Sequence, residues 1–321
     1  MSETRLSTPQ VVTQLPPTED PLADPLRLLE LTGVLHCQAK LTAPWGLDIP
    51  RIPDCIAIHI VNSGGLYLDI AGQPTIRVSE GSLLVLPHGS AHQIRSAPNA
   101  TATPLTQVPV ELVTGRYERM FFGGGGQQTH ISYCGVRYDP VGARRLLNVL
   151  PLVIHLEDNK DPWLADTARF IAREAEGILA GSEAIITRLT DIVVVQAIRS
   201  WLARSDSNHG WLAAIKDQHI GRALALIHAH PASEWTVDKL AREVGLSRSA
   251  FAARFTELVG DSVKHYLTEW RMQLARSDLL NSSANLAVLS ERYGYQSEAA
   301  FSRAFKRVFG RAPSQMRTEA R

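Results

Sequence analysis

The feature that most constrains this chain is a pattern that occurs twice in its carboxyl-terminal third. Residues 236–258 and residues 286–308 each predict a short amphipathic helix, a glycine turn and a second helix that begins at a serine. Gly245 and Gly294 supply the turns, because glycine accepts the positive φ that a sharp turn between helices requires. This is the layout of a helix-turn-helix unit. Two units in one polypeptide predict contact with two successive stretches of a DNA major groove.

The second helix of each unit is predicted to have one buried and one outward side. Three large apolar residues recur at helical spacing in each helix and predict the buried side: Phe251, Phe255 and Leu258 in the first, and Phe301, Phe305 and Val308 in the second. Between the units, residues 266–280 carry apolar residues at the same spacing. This segment predicts one rigid helix that fixes the distance between the two units.

Residues 218–317 resemble the DNA-binding domain of the AraC/XylS family of bacterial transcription regulators. The segment ERYGYQSEAAFSRAFKRVFGRAPSQMR, from Glu291 to Arg317, is very close to the signature of that family. The resemblance implies double-stranded promoter DNA as a partner, and RNA polymerase as a second partner if the protein is an activator. A helical bundle with no role in nucleic-acid binding is the alternative, but two aligned units rarely arise by chance.

The resemblance also implies which side chains contact DNA. The first recognition helix offers Arg248, Ser249, Ala252 and Ala253, and the second offers Glu298, Ala299, Ser302 and Arg303. Arg303 is the candidate for a bidentate contact with guanine. The two alanines predict contact with thymine methyl groups or recognition of DNA shape. Ser297, Lys306 and Arg307 are expected to contact phosphates, which position a protein without specifying sequence. A solvated surface position is the alternative for each of these residues.

Charge is distributed unevenly along the chain. The whole sequence has 33 basic and 32 acidic residues, whereas residues 216–321 have 16 basic and 11 acidic residues and residues 1–215 have 17 and 21. A basic carboxyl-terminal domain fits contact with the phosphate backbone. Ordinary surface charge is the alternative explanation.

The first half of the chain has the pattern of a β-rich domain. Short apolar or alternating runs between residues 25 and 140 are separated by glycine-containing turns and predict a sandwich or a barrel. The run from Gly81 to His92 matches the second cupin motif, and His59 lies where the first cupin motif places histidines. The region therefore resembles the cupin sensor domains attached to AraC-type regulators. The expected fold class is α+β multidomain, with an amino-terminal cupin barrel, a helical dimerisation segment and an all-α double helix-turn-helix domain.

The cupin resemblance raises the question of a bound metal. Cupin metal sites take two histidines and a carboxylate from the first motif and one histidine from the second. Here His59 and His92 are in place, but Val61 stands where a second histidine would follow, and the carboxylate has no match. His36, His88 and His130 are candidates to complete a site for Zn or Fe. A metal-dependent cupin enzyme fused to a DNA-binding domain is thus the alternative function, and the principal expectation is a regulator that is not an enzyme.

Three cysteines bear on the signal that the domain senses. In the reactive-chlorine-sensing branch of the family, two cysteines at the places of Cys37 and Cys134 are thought to detect oxidants. Cys37 is expected to precede the first barrel strands and Cys134 to lie on a late strand, while Cys55 has no counterpart. A reactive cysteine requires thiolate character and access. Inert packing is the alternative, so the expected effector is either an oxidant or a small molecule.

The remaining segments complete the expected organisation. Residues 1–24 are polar and rich in proline, which predicts a disordered start without a signal peptide, and the first half has no apolar run long enough for a membrane span. Residues 141–204 are expected to be helical, and the apolar circumference of residues 184–203 implies a homodimer. Residues 205–215 are expected to be a linker, and residues 216–321 the DNA-binding domain. The glycine run 123–126 predicts a loop, and a lid over a ligand is one interpretation. Sparse cysteine use is typical of a cytoplasmic protein.

Overall fold

The computed structural model describes Asp20 and residues 22–157, 162–177, 179–205 and 210–319. The chain divides into two compact units, one formed by Pro25–Asn208 and the other containing His209–Arg321. Most of the predicted disordered start, residues 1–24, lies outside the described residues. Its last two residues begin a short helix, α1 (Ala23–Arg27).

The first unit is rich in β-structure, as the sequence predicted. Within the described residues 22–157 the strands are β1 (Thr32–Thr42), β2 (Gly46–Ile49), β3 (Cys55–Ser63), β4 (Gly65–Ile70), β5 (Ile76–Ser79), β6 (Leu83–Leu86), β7 (His92–Arg95), β8 (Thr103–Pro104), β9 (Val110–Thr114), β10 (Tyr117–Gly123), β11 (Gln128–Arg137) and β12 (Ile154–Leu156). A 3-10 turn at Leu105–Gln107 lies between β8 and β9.

These strands form two sheets that enclose one core. The larger sheet has the order β12-β6-β3-β11-β1-β10-β9, and the smaller has the order β5-β4-β7-β2-β8. Apolar side chains from both sheets pack together between them, including Leu41 and Val61 from the larger sheet and Leu47 and Leu68 from the smaller. The cupin-like barrel predicted from the sequence is therefore present as two facing sheets.

The strand register decides which side chains face that core. The register places Cys37 opposite Tyr133, and Tyr133 opposite His59. Cys37 belongs to the core between the sheets, so these three residues lie on the inner face of the larger sheet. Neighbouring residues on a strand point to opposite faces. His36 and Cys134, which are opposite each other in the register, therefore lie on the outer face.

Residues 141–204 are not wholly helical, which corrects one expectation. Helices α2 (Arg144–Leu147), α3 (Pro162–Gly177) and α4 (Ser182–Arg204) are present. Between α2 and α3, however, β12 pairs with β6 and adds an edge strand to the larger sheet, with Ile154 opposite Val85. Its apolar side chains Ile154 and Leu156 are buried there. Helix α4 packs against β1 and β12, and so covers part of the outer face of the sheet.

The described part of the second unit is all helical, as predicted. Its helices are α5 (Gly210–Lys216), α6 (Gln218–Ala229), α7 (Val237–Glu243), α8 (Arg248–Val259), α9 (Val263–Asn281), α10 (Leu286–Arg292), α11 (Glu298–Phe309) and α12 (Pro313–Glu319). The predicted linker at residues 205–215 was too long, because α5 begins at residue 210 and buries Trp211 and Leu212 against the domain. Among the described residues, the protein has no helix with the length and hydropathy needed to span a bilayer.

The glycine run at residues 123–126 forms a loop with a packing role. A Cβ atom on Gly123 would lie 1.9 Å from the carbonyl oxygen of Thr42, and one on Gly124 would lie 2.5 Å from Pro44 Cδ. The amide of Gly124 also donates a hydrogen bond to the Thr42 carbonyl at 2.8 Å. Gly123, Gly124 and Gly126 have no room for a side chain, because the loop lies directly on the end of β1, whereas Gly125 has open space but a φ of 88°.

Candidate functional site

The two helix-turn-helix units are built on the same local hydrogen bonds. Helix α8 begins after Ser247, whose Oγ accepts the Ala250 amide at 3.3 Å, and α11 begins after Ser297, whose Oγ accepts the Ala300 amide at 3.2 Å. Serine at this position satisfies an amide that would otherwise lack a partner in the first turn. The preceding turns contain glycines with φ of 72° and 74°. These caps and turns agree with the pattern of serines and glycines in the sequence.

Each recognition helix has one buried and one outward side. Phe251 and Phe255 in α8, and Phe301 and Phe305 in α11, are fully buried. The predicted DNA-contacting residues lie away from these cores. Arg248, Ser249, Ala253, Ser297, Glu298, Ala299, Arg303, Lys306 and Arg307 are exposed, and Ala252 and Ser302 are half-buried.

The two recognition helices differ in the charge that they present. The second carries Arg303, Lys306 and Arg307, all exposed. The two arginines of the first are both paired with carboxylates: Arg248 Nη1 lies 3.3 Å from Asp238, and Arg254 is bound to Asp217. The first helix therefore offers small side chains and a more neutral surface to a partner than the second.

The two helix-turn-helix units are held in a fixed relation to each other by the loop at residues 231–233, which precedes the first of them. Arg271 in α9 donates from Nε to the Pro231 carbonyl at 2.6 Å and from Nη2 to the Ser233 carbonyl at 2.9 Å. Gly294, in the turn of the second unit, lies so close to this loop that a Cβ atom would be 2.5 Å from the Ala232 carbonyl oxygen. Sequence reasoning missed these contacts, because they join residues about 40 positions or more apart in a segment with no repeating pattern.

The cupin unit, Pro25–Asn208, contains two buried histidines whose side chains are in contact across its core. His59 Nε2 and His92 Nε2 are 2.9 Å apart. His92 Nδ1 donates to the Ser90 carbonyl at 2.8 Å, so in a neutral ring its Nε2 is the acceptor and His59 Nε2 carries the proton. His59 Nδ1 is then a buried acceptor without a hydrogen-bond partner. Burial lowers the pKa of both imidazoles, and keeps them neutral near pH 7.

This pair does not form the metal centre that cupins often contain. His36 and His130 were expected to supplement it, but both alternate onto the outer face of the sheet. His88 is also engaged elsewhere, since its Nε2 donates to the Leu150 carbonyl at 3.2 Å. Among the described residues of this unit, no group of three His, Cys, Asp or Glu side chains has the spacing of a ligand set. A catalytic zinc site uses three protein ligands, so the donor set does not fit a metal.

A second cluster lies on the outer face of the same sheet, beneath α4. His36 Nδ1 is 3.2 Å from Cys134 Sγ, and the His36 ring stacks on Tyr117 with centroids 4.7 Å apart. From the other side, Thr190 of α4 is in hydrogen-bond contact with the Cys134 thiol. The Thr190 hydroxyl donates its own proton to the Ile186 carbonyl at 2.8 Å, and is therefore free to accept the thiol proton. Cys134 thus joins the sheet to α4.

The hydrogen bonds at this cluster continue across three strands. Gln38 Nε2 lies 3.0 Å from His36 Nε2 and 3.0 Å from Ser132 Oγ, and Asn62 Nδ2 donates to the same Oγ at 2.7 Å. An amide nitrogen only donates, so His36 Nε2 accepts and its Nδ1 carries the proton that points at Cys134 Sγ. These contacts could not be predicted from the sequence, because they depend on the register of β1, β3 and β11.

All three cysteines are buried and protonated. Burial raises the pKa of the Cys37 thiol to about 12, with the Glu118 carboxylate adding to the effect. Burial also raises the pKa of Cys134 to about 12 and that of Cys55 above its ordinary value. Cys37 was expected to precede the barrel strands, but it lies in the middle of β1 and faces the core. The two candidate cysteines therefore occupy opposite faces of one sheet.

Comparison with known proteins agrees with this architecture. Residues 20–203 match the Cupin family, and residues 240–319 match a helix-turn-helix domain family. A putative AraC-like transcription regulator of Streptomyces lividans is 32% identical over 309 residues, which cover 93% of this chain and 98% of the relative. The HTH-type transcriptional regulator AlkR of Acinetobacter baylyi is 28% identical over 290 residues, or 89% of this chain and 94% of AlkR.

A further relative is the RCS-specific HTH-type transcriptional activator RclR of Escherichia coli. It is 24% identical over 263 residues, which cover 82% of this chain and 84% of RclR. The likeness to these regulators extends over both the cupin and the helix-turn-helix regions. The chain therefore belongs to the AraC-type DNA-binding transcription regulators, with a cupin domain before its two helix-turn-helix units.

Proposed function

We propose that the protein binds two half-sites in promoter DNA, with α8 in one major groove and α11 in the next, and that the state of the cupin domain controls this binding. The observation that carries the proposal is the matched pair of serine-capped helices, each with its large side chains buried and its polar side exposed. A helix of this kind enters the major groove and contacts base edges with its outward side chains.

The exposed side chains divide into two roles in this proposal. Arg303 is long, cationic and exposed in the middle of α11, which suits a bidentate contact with guanine O6 and N7. Ser249, Ala252, Ala253, Glu298, Ala299 and Ser302 line the remaining base-facing positions. Lys306, Arg307 and Ser297 contact phosphates. Arg248 belongs with the base-facing residues of the first helix.

The assignment is tested by fluorescence anisotropy on duplexes selected by the wild-type protein. Arg303→Ala should weaken binding to the cognate duplex by about 1–3 kcal/mol and relax the preference at one base pair. Lys306→Ala should weaken binding to all duplexes alike, and reduce the slope of log K against log salt by about 1. Lys40→Ala, which removes one exposed cation from the cupin unit, is the charge-matched control and should change neither quantity. Uniform weakening by Arg303→Ala would remove its role in base recognition.

We propose oxidation of Cys134 as the input to the cupin domain, with a small-molecule effector as the second candidate. Cys134 is buried and protonated at rest, but unlike Cys37 it has a histidine N–H directed at its sulfur, a group that stabilises the sulfenate once oxidation has formed it. It also touches α4 through Thr190. Cys37 lies among apolar side chains, with a carboxylate that opposes ionisation. The relative named as RCS-specific supports an oxidant as the signal.

Oxidation of Cys134 adds one oxygen atom at the packed interface between the larger sheet and α4. Hypochlorous acid oxidises the Cys134 thiol to a sulfenic acid: the S–H bond is lost, an S–O bond forms, and chloride and a proton leave with the two electrons transferred to chlorine. Cys134 is 1% exposed, so the added oxygen has no free space between His36 and Thr190. Overpacking of this kind costs about 1–3 kcal/mol, and moving α4 off the sheet relieves it.

The test measures promoter binding before and after a stoichiometric addition of hypochlorite. Cys134→Ser should abolish the change in affinity, whereas the matched variant Cys37→Ser should retain it. A response that persists in Cys134→Ser but disappears in Cys37→Ser would move the sensor to the core of the domain. If neither variant alters the response, the oxidant acts at a residue other than Cys37 and Cys134, and Cys55 is the remaining cysteine. If the wild-type protein does not respond, the effector is a ligand rather than an oxidant.

We also propose that α4 forms a homodimer. Its buried side packs within the cupin unit, but Ile185 and Ile192 remain 39% and 50% exposed, and their spacing of seven places them on one side of the helix. A second copy of α4 would cover this stripe. Sedimentation of Ile192→Lys should show a monomer where the wild-type protein is a dimer, while Thr187→Lys, outside the stripe, should leave the assembly unchanged.

The remaining parts of the proposed function follow from promoter binding. The protein works in the bacterial cytoplasm, and contacts RNA polymerase if it activates transcription. The alternative, a metal-dependent cupin enzyme, receives no support from the donor set, which supplies the two histidines His59 and His92 and no third ligand among the described residues. Stoichiometric zinc or iron in the purified protein, retained through dialysis, would revive it.

A further inference from the structure

The short junction between α5 and α6 is attached to both helices of the first helix-turn-helix unit. Asp217 caps α6, and its Oδ1 accepts the amides of His219 at 3.0 Å and Ile220 at 2.8 Å. A Cβ on Gly221 would lie 2.5 Å from the Ile215 carbonyl oxygen, so the two helices meet closely here. The junction is therefore a compact, hydrogen-bonded corner rather than a loose connection.

The second oxygen of Asp217 binds the middle of the recognition helix. Oδ2 accepts from Arg254 Nε at 2.9 Å and also from Nη2. The Asp217 side chain is 9% exposed and that of Arg254 is 52% exposed, so the contact lies at the edge of the domain with its acidic half covered. Burial acts to raise the pKa of Asp217, but the hydrogen bonds from Arg254 and from the two amides outweigh it, and the pKa lies below its usual value. The carboxylate is therefore charged wherever the protein binds DNA.

A neighbouring residue of the junction binds the other helix of the unit. His219 Nδ1 donates to the Val244 carbonyl at 2.7 Å, and Val244 is the last residue before the Gly245 turn. Helix α5 itself packs against α6 and α8. The corner at residues 217–219 thus holds α8 through Asp217 and the end of α7 through His219.

We propose that Asp217 is a positioning residue for DNA recognition: by holding Arg254, it sets the angle at which α8 enters the major groove. The inference rests on the proposed role of α8 as a recognition helix. Helix α8 offers a partner small side chains such as Ala252 and Ala253, and contacts by short side chains tolerate little misplacement because they cannot reach across a gap. A recognition helix of this kind depends more on its orientation than one with long flexible contacts does. Arg254 acts within the protein, and does not neutralise a phosphate.

The test uses full-length protein and two DNA duplexes. The first is selected from a random pool by the wild-type protein, and its two half-sites are mapped by hydroxyl-radical footprinting. The second carries an unrelated sequence in the half-site that α8 covers. The readout is the ratio of the affinities for the two duplexes, which reports discrimination at that half-site alone.

Asp217→Asn separates positioning from capping. Asparagine caps a helix as well as aspartate does, and its Oδ1 still accepts the amides of His219 and Ile220. Its amide nitrogen replaces the oxygen that binds Arg254 and cannot accept a hydrogen bond. We expect the affinity ratio to fall on the order of fivefold, as the loss of a partly covered charge pair predicts, while affinity for the second duplex is unchanged. Arg254→Gln should give the same loss without touching the cap, and Arg254→Lys should recover part of it.

Two further measurements distinguish positioning from direct DNA contact. The double variant Asp217→Asn with Arg254→Gln should be no worse than either single variant, because both remove one contact. Arg254→Gln should leave the salt dependence of binding unaltered. A slope reduced by about 1 on both duplexes would mean that Arg254 binds a phosphate, and would overturn the proposal. An unchanged affinity ratio in both single variants would overturn it as well. If the wild-type protein itself fails to discriminate between the duplexes, α8 is not a recognition helix and the underlying assignment fails with it.

Discussion

Arg271, in the helix that connects the two helix-turn-helix units, donates a hydrogen bond of 2.6 Å to the carbonyl oxygen of Pro231, which precedes the first unit by a few residues. With the parallel bond to Ser233, this contact makes the spacing of the two recognition helices a property of the folded domain. Burial lowers the pKa of the Arg271 guanidinium, yet an arginine remains charged at any pH at which the protein is folded.

Replacing Arg271 should allow the two helix-turn-helix units to move relative to each other. Arg271→Ala leaves the carbonyls of Pro231 and Ser233 without their charged donor, which should lower the free energy of unfolding by about 1–3 kcal/mol. Affinity for a duplex with both half-sites should fall toward that for a single half-site, because the units no longer bind as one body. Urea denaturation and anisotropy measure the two effects. Lys264→Ala, an exposed position on the same helix, is the control and should change stability by less than about 0.5 kcal/mol.

The two turn glycines should differ in their tolerance of a side chain. Both have positive φ, so alanine at either costs about 1 kcal/mol from backbone strain. A Cβ on Gly245 meets nothing within 4 Å, whereas one on Gly294 meets the Ala232 carbonyl at 2.5 Å. We expect Gly294→Ala to destabilise the domain by at least about 1 kcal/mol more than Gly245→Ala. Equal losses of unfolding free energy in the two variants would contradict the close approach of the second turn to the loop.

Oxidation should not join Cys37 to Cys134. The two residues lie on neighbouring strands, but Cys37 faces the core and Cys134 faces α4. A disulfide requires Cβ atoms that approach each other, and these point away from each other across the sheet. Peptide mapping of hypochlorite-treated protein without reductant should therefore find sulfenic or higher oxides at Cys134 and no Cys37–Cys134 cross-link. A Cys37–Cys134 disulfide in high yield would contradict this prediction, and would show that the sheet opens before the cysteines react.

Acid should destabilise the cupin unit through the buried His36. Burial lowers the pKa of His36 from 6.5 to about 4, so the folded state binds its proton less readily than the unfolded state does. The stability that this contributes is fully present above pH 6.5 and is lost as the pH falls toward 4, to a total of about 3 kcal/mol. Unfolding monitored between pH 7 and pH 4 should have a shallower pH dependence in His36→Gln than in the wild-type protein.

Local signals made the DNA-binding domain predictable. A serine before a helix and a glycine at a turn act within a few residues, so Ser247, Ser297, Gly245 and Gly294 identify the two units without knowledge of the rest of the fold. Sequence patterns also predicted the buried aromatic residues. The contacts that fix how the helices sit together, such as Asp217 with Arg254, span 37 residues and carry no periodic signal.

The strands of the cupin unit could be predicted from the sequence, but the side chains that meet at its candidate site could not. Whether His36 meets His59 or Cys134 depends on the pairing of β1 with β11, whose partners are almost a hundred residues apart, and a shift of one residue would exchange the two faces. The three-residue strand β12 was missed because a run as short as Ile154–Leu156 has no measurable period. The sequence therefore predicted the residue types present at the site, but not which of them come together.

The bonds from Arg271 and the tight fit of Gly294 have a consequence for the DNA itself. Successive major grooves on one side of a duplex repeat about every 34 Å, and a pair of recognition helices locked at its own spacing cannot stretch to match that repeat. Any difference between the two spacings would have to be absorbed by the duplex, through bending or twisting between the half-sites. Flexible pyrimidine–purine steps there would lower the cost of that deformation, and a stiff A-tract would raise it. The two hydrogen bonds from Arg271 and the lack of a side chain at Gly294 would thus make affinity depend on base pairs that the protein does not contact.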